Sequence, residues 1–292
     1  MPSLRDIKKR ITSVKNTQKI TKAMKMVAAG KLRRAQEAVL AARPYAQKLQ
    51  DVLASLAARV DERVHPLLQE RPPRKIELIL VTSDRGQAGA FNSNVLRRAQ
   101  RFLAEEHPGI ERIEVSTLGR KGRDFVRRRQ LATRKDYPGI FDGISFASAE
   151  GIAHELIAHY EAAQLDRVFL LYNEFVSALS QRTVLHQILP IVPTELTKRA
   201  DGTDQKPTDY LYEPNQSAVL EALLPRYLAN QVWRAMLESQ AGEFAARMTA
   251  MDSASKNAGK LIGQYTLDYN RARQAYITKE LMEIVSGAEA QK

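Results

Sequence analysis

Two glycine-bearing loops are the parts of the sequence that most resemble a ligand-binding or catalytic site. SDRGQAGAFN, from Ser83 to Asn92, follows a predicted strand and precedes a predicted helix, as a phosphate-binding loop would. Its glycines, Gly86 and Gly89, fit neither G-x-G-x-x-G nor G-x-x-x-x-G-K-[ST], and no Lys-Ser or Lys-Thr pair follows them. GRKG, from Gly119 to Gly122, is more typical of a turn between a strand and a helix. The sequence therefore disfavours nucleotide binding at both loops.

Side chains that serve most often in catalysis and metal binding are scattered. The chain has five histidines and no cysteine. His154 and His159 stand five residues apart in a predicted helix, so they do not share a helical face closely. The lack of cysteine excludes thiolate metal ligands, disulfides and thiol redox switches. We expect no catalytic residue, no metal site and no cofactor.

Composition indicates an ordinary globular protein with a basic surplus. Of 292 residues, 44% are hydrophobic and 27% are charged, and Lys plus Arg outnumber Asp plus Glu by 45 to 33. A net charge of +12 favours acidic partners without choosing among nucleic acid, anionic lipid and acidic protein. Because the sequence contains neither a membrane-length apolar run nor a signal-peptide pattern, we expect a cytoplasmic protein.

The hydrophobic pattern divides the chain into four segments. Residues 1–62 and 216–292 each carry apolar residues in a heptad repeat, which is typical of a coiled-coil helix. Residues 74–193 alternate between strand and helix patterns, and residues 194–215 form a polar linker rich in Pro, Gly and Asp. The predicted fold class is α/β and α-rich: a long antiparallel coiled coil of the N- and C-terminal helices, with a small α/β domain inserted between them.

The inserted domain is predicted to contain four strands and three helices. The strands are Ile76–Ser83, Ile113–Gly119, Asp166–Phe175 and Arg182–Pro190, and the helices are Asn92–Glu106, the segment GRDFVRRRQ and Ala147–Ala162.

The heptad seam of the first helix has a polar gap. Its register lands there on Gln18, Thr21 and Lys25. The apolar residues Ile20, Met24 and Val27 sit one position earlier. One interpretation is a local skip in the coiled coil with a solvated basic face. The other is an outer apolar face that contacts a partner.

The second helix stays apolar beyond its seam. The seam runs from Leu237 to Tyr276, yet apolar residues continue on several faces up to Val285. Exposed apolar surface costs about 25 cal/mol per Å². We therefore expect something outside the chain to surround this tip.

Several motifs resemble the γ-subunit family of the F-type rotary ATP synthase, in its bacterial form. They are SVKNTQKITKAMKMVAAGKL near the start, ARMTAMDSASKNAGKLIGQYTLDYNRARQAYITKELMEIVSGA near the end, and SDRGQAGAFNSNV and GRKG between them. The resemblance covers almost the whole chain in order and spacing. The regulatory dithiol insertion of chloroplast members is absent, since the chain has no cysteine.

The resemblance implies a non-catalytic central rotor shaft. Such a shaft couples proton-driven rotation of a membrane c ring to ATP synthesis or hydrolysis at the β subunits. The implied partners are three α and three β subunits, the ε subunit and the c ring, with no nucleic acid. The implied location is peripheral, at the cytoplasmic face of the bacterial inner membrane.

The resemblance also assigns contact residues. Those matching the contact with a catch loop on β are Arg273, Gln274, Thr278 and Glu280. Those expected on the outer face of the shaft are Ile20, Lys22, Met24 and Lys25. Those expected in an apolar bearing are Ile277, Leu281, Ile284 and Val285. Those matching the contact of the foot with the c ring are Tyr210, Tyr212 and Glu213.

Two other functions require features that the sequence lacks. An α/β enzyme with a coiled-coil dimerisation arm requires a phosphate loop or an acid-base cluster, and the sequence offers neither. A basic coiled-coil nucleic-acid adapter requires aromatic stacking platforms interleaved with the charge. Aromatic residues make up only 7% of the chain and are not so arranged.

Overall fold

The computed structural model describes residues 3–57, 65–105, 107–192 and 210–289. Two compact units are present: Met1–Ala29 with Arg247–Lys292, and Gly30–Ala246. Residues 58–62 of the predicted first helix and 194–209 of the predicted linker lie outside the described residues. The four segment boundaries given above stay predictions.

Helices and strands alternate in the middle of the chain and long helices stand at its ends. The elements are α1 (Leu4–Ala57), β1 (Lys75–Val81), α2 (Phe91–Ala104), β2 (Arg112–Leu118), α3 (Arg120–Arg128), β3 (Thr133–Tyr137), α4 (Phe146–Glu161), β4 (Arg167–Phe175), β5 (Gln181–Leu189) and α5 (Gln216–Glu289). The predicted fold class is confirmed.

A five-stranded sheet in the order β3-β2-β1-β4-β5 forms the centre of the second unit. All neighbouring strands are parallel except β5, which pairs antiparallel with β4. On one face of β1, Leu78 and Leu80 pack in a cluster with α2 and α3. On the other face, Ile79 and Val81 pack with α4. Burial on both faces explains why β1 is a continuous apolar run rather than an alternating one.

Strand β3 was not predicted from the sequence. Its residues, TRKDY, lack the apolar alternation of a half-buried strand. It occupies one edge of the sheet, where polar and charged side chains reach solvent. The polar composition of β3 suits an edge position. For the same reason, the strand lacks the apolar pattern by which strands are predicted from a sequence.

Parts of both long helices pack on the α4 side of the sheet. Leu53 and Leu56 of α1 share one buried cluster with Leu224 and Leu228 of α5 and with α4. Helix α5 continues through Pro225, although a proline inside a helix usually kinks or interrupts it. In this unit, therefore, the two helices belong to the core of the α/β domain.

The first unit is an antiparallel helix pair. Lys25 of α1 contacts Asp252 of α5, while Gln18, earlier in α1, contacts Ser255, later in α5. At the start of α1, the hydroxyl of Ser3 accepts a hydrogen bond from the backbone N–H of Asp6, 3.2 Å away. This cap satisfies one of the free donors that every helix start leaves.

Candidate functional site

The GRKG turn has no backbone donor to offer a phosphate. The four N–H groups that open α3 all bond within the chain: Arg120 N to Asp84 Oδ1 (2.9 Å), Lys121 N to the Ser83 carbonyl (3.1 Å), Gly122 N to Thr82 Oγ1 (2.8 Å) and Arg123 N to the Gly119 carbonyl (3.4 Å). A phosphate-binding helix start needs these groups free. The structure therefore agrees with a strand-to-helix turn.

Gly119 is required by the approach of two backbone segments. Its φ is 99°, and a Cβ there would lie 2.2 Å from the carbonyl oxygen of Thr82. No side chain fits at that distance. The glycine serves packing between β1 and the start of α3.

Contacts within the chain occupy part of the crevice where open α/β sheets bind ligands. Such crevices lie at the carboxyl ends of strands where the strand order reverses, here between β1 and β4. Asn173 of β4 donates from Nδ2 to the Phe91 carbonyl at the start of α2, over 2.9 Å. Gly242 of α5 lies against the Phe91 ring, since a Cβ on it would stand 3.2 Å from Phe91 Cε2. These two contacts fill the space between Asn173, the start of α2 and α5.

Metal and membrane sites are likewise not found in the part of the chain that the structure describes. No group of three or more His, Asp or Glu residues could hold an ion there. Among the described helices, none combines the length and apolar character needed to cross a bilayer.

The polar gap in the α1 seam is a set of interhelical contacts. Gln18 Nε2 donates to the Ser255 carbonyl over 3.3 Å, and Lys25 Nζ lies 2.6 Å from Asp252 Oδ1. Thr21 is only 8% exposed. Hydrogen bonds from Lys25 and then Lys256 lower the pKa of Asp252 to about 2. The seam thus continues through the gap with polar contacts, so the coiled coil does not skip there.

The four residues assigned to the outer face differ in their exposure. Ile20 and Val27 are each 60% exposed, Lys22 is exposed and Met24 is half-buried. Lys25 is a correction, because its ammonium group turns to Asp252 on the seam and not to the outer face. The heptad register of α1 falls on Lys25 and therefore favours this position on the seam. Whether the other three contact a partner stays a prediction.

The end of α5 carries its assigned residues on an exposed helix. The side chains assigned to the catch loop, Arg273, Gln274, Thr278 and Glu280, are all exposed. The apolar tip residues are between 47% and 64% exposed: Ile277, Leu281, Ile284 and Val285. They cover several faces of the helix without burial in the described chain.

The residues assigned to the foot differ in their contacts with the rest of the chain. The Tyr212 hydroxyl donates to Ser55 Oγ of α1 over 2.9 Å, and its ring lies 6.3 Å from that of Tyr210. Glu213 is exposed. Tyr212 is therefore an anchor to α1 as well as a candidate contact.

The residues by which α5 contacts the sheet were not predicted from the sequence. Gly242, a glycine inside a strongly helical segment, was the available signal, since such a glycine often has a packing reason. Arg234 and Glu174, whose side chains lie 3.7 Å apart, gave no signal because they are far apart in sequence.

Comparison with known proteins is consistent across sequence and structure. A protein-family model described as ATP synthase matches residues 3–291. The chain is 56% identical to the ATP synthase gamma chain of Anaeromyxobacter sp. (strain Fw109-5) and 52% identical to that of Geobacter metallireducens. In both cases 100% of this chain and 100% of the relative are covered.

Solved structures show the same fold. A chain of the central stalk and c ring of the Tetrahymena thermophila mitochondrial ATP synthase matches with a TM-score of 0.58 and 26% identity, covering 81% of this chain and 99% of that one. A chain of the Euglena gracilis mitochondrial enzyme in rotational state 3 matches with a TM-score of 0.70 and 24% identity, covering 99% and 94%.

Proposed function

This chain belongs to the ATP synthase gamma chain family, and we propose that it couples proton-driven rotation of a membrane c ring to ATP synthesis or hydrolysis at β subunits. Its role as a central rotor shaft and as a non-catalytic subunit follows from that membership. The partners we propose are three α and three β subunits, an ε subunit and the c ring. The proposed location is peripheral, at the cytoplasmic face of the bacterial inner membrane.

The observation that carries this proposal is the exposed end of α5. Its seam residues are at least half-buried up to Ala272, and from Arg273 to Gly287 every residue is exposed. Apolar residues nevertheless occupy several faces of this stretch. A surrounding apolar sleeve would remove that surface from water. Because apolar contacts are non-directional, a helix in such a sleeve can turn with little angular preference.

We propose directional contacts with partner subunits at three further places: below the tip of α5, along α1 and at the foot. Arg273, with its planar fork of donors, suits a carboxylate on a β catch loop, together with Gln274, Thr278 and Glu280. On α1, Ile20, Lys22 and Met24 would face the ring of α and β subunits. Tyr210, Tyr212 and Glu213 would face the c ring.

Assembly tests the proposal directly. An affinity tag on this chain should recover one copy with three α and three β subunits, and the assembled head should hydrolyse ATP while the pure chain does not. A matched pair of variants locates the tip: Leu281→Ser with Ile284→Ser should weaken assembly, and Leu179→Ser should not. Leu179 is the control because it is an exposed leucine elsewhere, at 85% exposure. ATP turnover by the pure chain, or recovery without α and β, would contradict the proposal.

A further inference from the structure

Helix α5 contacts the α/β domain through two opposite faces where it passes the edge of the sheet. We propose that these contacts form a torque joint, meaning the set of contacts that makes α5 and the α/β domain turn together. The joint comprises Gly242 against Phe91 and Gln181 on one face, and Trp233 and Gln240 against Phe146 and Phe141 on the other. The inference rests on the proposed shaft function, because only a rotating shaft needs such a joint.

The first face of the joint is a close approach of helix to domain. A Cβ on Gly242 would lie 3.2 Å from Phe91 Cε2 and 3.4 Å from Gln181 Cγ. Protein interiors are packed too densely for such neighbours to slide past each other freely. The glycine therefore lets the helix backbone sit directly on the Phe91 ring.

Phe91 is itself held firmly by the sheet. Its carbonyl accepts from Asn173 Nδ2 over 2.9 Å, and Asn173 Oδ1 accepts from Thr183 Oγ1 over 2.6 Å. Asn173 is 2% exposed. Helix α2, strand β4 and strand β5 thus form one support beneath the glycine, so a force on Phe91 reaches the whole sheet.

The second face lies on the other side of α5. The Trp233 ring meets the Phe146 ring edge-on, with centroids 5.5 Å apart, and Gln240 Nε2 donates to the Phe141 carbonyl over 3.3 Å. At about 100° per residue, Trp233 and Gln240 lie on nearly the same side of a helix, and Gly242 lies roughly 180° from Trp233. Contacts on opposite sides of an axis resist rotation about that axis.

An ion-pair network crosses from the sheet to α5 between these two faces. Glu174 of β4 accepts from Arg182 over 2.6 Å and lies 3.7 Å from Arg234 Nη2. Arg234 also donates from Nε to Glu238 Oε1 over 2.7 Å. The ion pair between Arg234 and Glu174 adds an electrostatic attraction between α5 and the sheet.

The joint predicts a specific defect when it is loosened. ATP hydrolysis turns the shaft within the head, and pumping requires the α/β domain to follow. Forcing a larger side chain between α5 and Phe91 should push this part of the helix away from the sheet and make the connection more compliant, so that less of the rotation of the shaft reaches the domain. Hydrolysis would continue while fewer protons were pumped for each ATP.

The experiment compares Gly242→Leu with Gly151→Leu in the complete complex, reconstituted into vesicles. Gly151 is the matched control because it is a helical, exposed glycine of the same unit with nothing within 4 Å of its would-be Cβ. The readout is the ratio of proton pumping to ATP hydrolysis. We expect Gly242→Leu to lower this ratio by about fivefold, the scale on which coupling residues act, and Gly151→Leu to leave it unchanged.

Two further variants keep the result interpretable. Adding Phe91→Ala to Gly242→Leu should restore the ratio, because it makes room for the new side chain. If Gly242→Leu does not assemble, Arg234→Ala with Gln240→Ala should lower the same ratio, because it removes the ion pair to Glu174 and the hydrogen bond to the Phe141 carbonyl. A wild-type ratio in assembled Gly242→Leu complex, or an equal loss with Gly151→Leu, would overturn the joint. A wild-type complex that does not couple at all would instead overturn the proposed function.

Discussion

Lys25 Nζ of α1 lies 2.6 Å from Asp252 Oδ1 of α5, across the seam of the helix pair. The second oxygen of Asp252 lies 2.8 Å from Lys256 Nζ, one turn further along α5. A polar residue at a seam position favours one register over others, because a slip by one turn would separate Lys25 from Asp252. The polar gap that the sequence displays is thus suited to fixing how α1 and α5 align.

Charge reversal tests this alignment. Lys25→Asp should lower the thermal midpoint of the chain, since two carboxylates would then face each other, and Asp252→Lys should do the same with two cations. The double variant should recover most of the loss, because the pair is restored with reversed sign. Melting curves followed by circular dichroism measure the effect. Lys22→Asp, on the exposed side of α1, is the control, and an equal loss there would argue against a role for the pair.

Acid should weaken the same contact in a defined range. Hydrogen bonds from Lys25 and Lys256 lower the pKa of Asp252 from 3.8 to about 2. A carboxylate whose folded pKa is depressed stabilises the fold above its unfolded pKa, and this stabilisation is lost as pH falls through the folded pKa. We expect the Asp252 carboxyl to titrate by NMR near pH 2 in wild type and near its ordinary value in Lys25→Ala with Lys256→Ala. Titration near pH 4 in wild type would contradict the contact.

The sequence predicted the helices and the buried strands because their patterns are strong. A continuous apolar run predicts β1, and the heptads predict α1 and α5. Strand β3 was not predicted, because edge strands carry polar residues. Lys25 was assigned to the outer face, although the heptad register placed it on the seam. The joint at Gly242 depends on residues brought together by the fold. A single sequence does not show which helical glycine packs against a distant ring.

Gly119 should be far less tolerant of substitution than another glycine of positive φ. Gly119→Ala places a Cβ against the Thr82 carbonyl, which is backbone and cannot turn aside. Gly109 has a φ of 80° but nothing within 4 Å, so Gly109→Ala costs only the backbone strain of roughly 1–2 kcal/mol. Urea unfolding of both variants measures the difference. Equal losses would show that the loop at Gly119 relaxes without cost.

The buried pair of Glu77 and Arg134 should be fragile when only one partner is removed. Glu77 in β1 has no exposed surface, and its Oε2 lies 2.8 Å from Arg134 Nε in β3. Arg134→Leu leaves a buried carboxylate unpaired, so we expect a loss of about 3–5 kcal/mol near pH 7. Adding Glu77→Leu should recover much of it, because two apolar side chains need no partner.

The pH dependence of Arg134→Leu has a definite sign. Burial raises the pKa of Glu77 even in wild type, with Arg134 opposing the rise. Without Arg134 the rise is larger. A carboxyl group with a raised pKa favours folding below its unfolded pKa, and that contribution disappears as pH rises through the folded pKa. The loss in Arg134→Leu should therefore shrink between pH 7 and pH 5 in urea unfolding, and a loss independent of pH would contradict an unpaired Glu77.

The two halves of the exposed end of α5 should respond differently to change. Truncation after Lys279 removes Leu281, Ile284 and Val285, whose exposed apolar surface we assign to a bearing. Since apolar contacts are non-directional, their loss should weaken support but leave some rotation-coupled ATP hydrolysis. Arg273→Ala with Gln274→Ala should reduce turnover more sharply, because charge-assisted bonds act at defined angles. Both side chains are exposed, so the double variant should leave the fold of the chain intact.

Steady-state ATP hydrolysis by the reconstituted complex separates the two outcomes, with assembly checked by gel filtration. Arg271 is the control position, because Arg271→Ala removes an exposed arginine of the same helix that lies outside the assigned set. We expect near wild-type turnover with Arg271→Ala, partial turnover after truncation and the lowest turnover in the Arg273 and Gln274 double variant. Full and equal turnover in all three would mean that the end of α5 is a terminus without a role, whose apolar residues meet no partner.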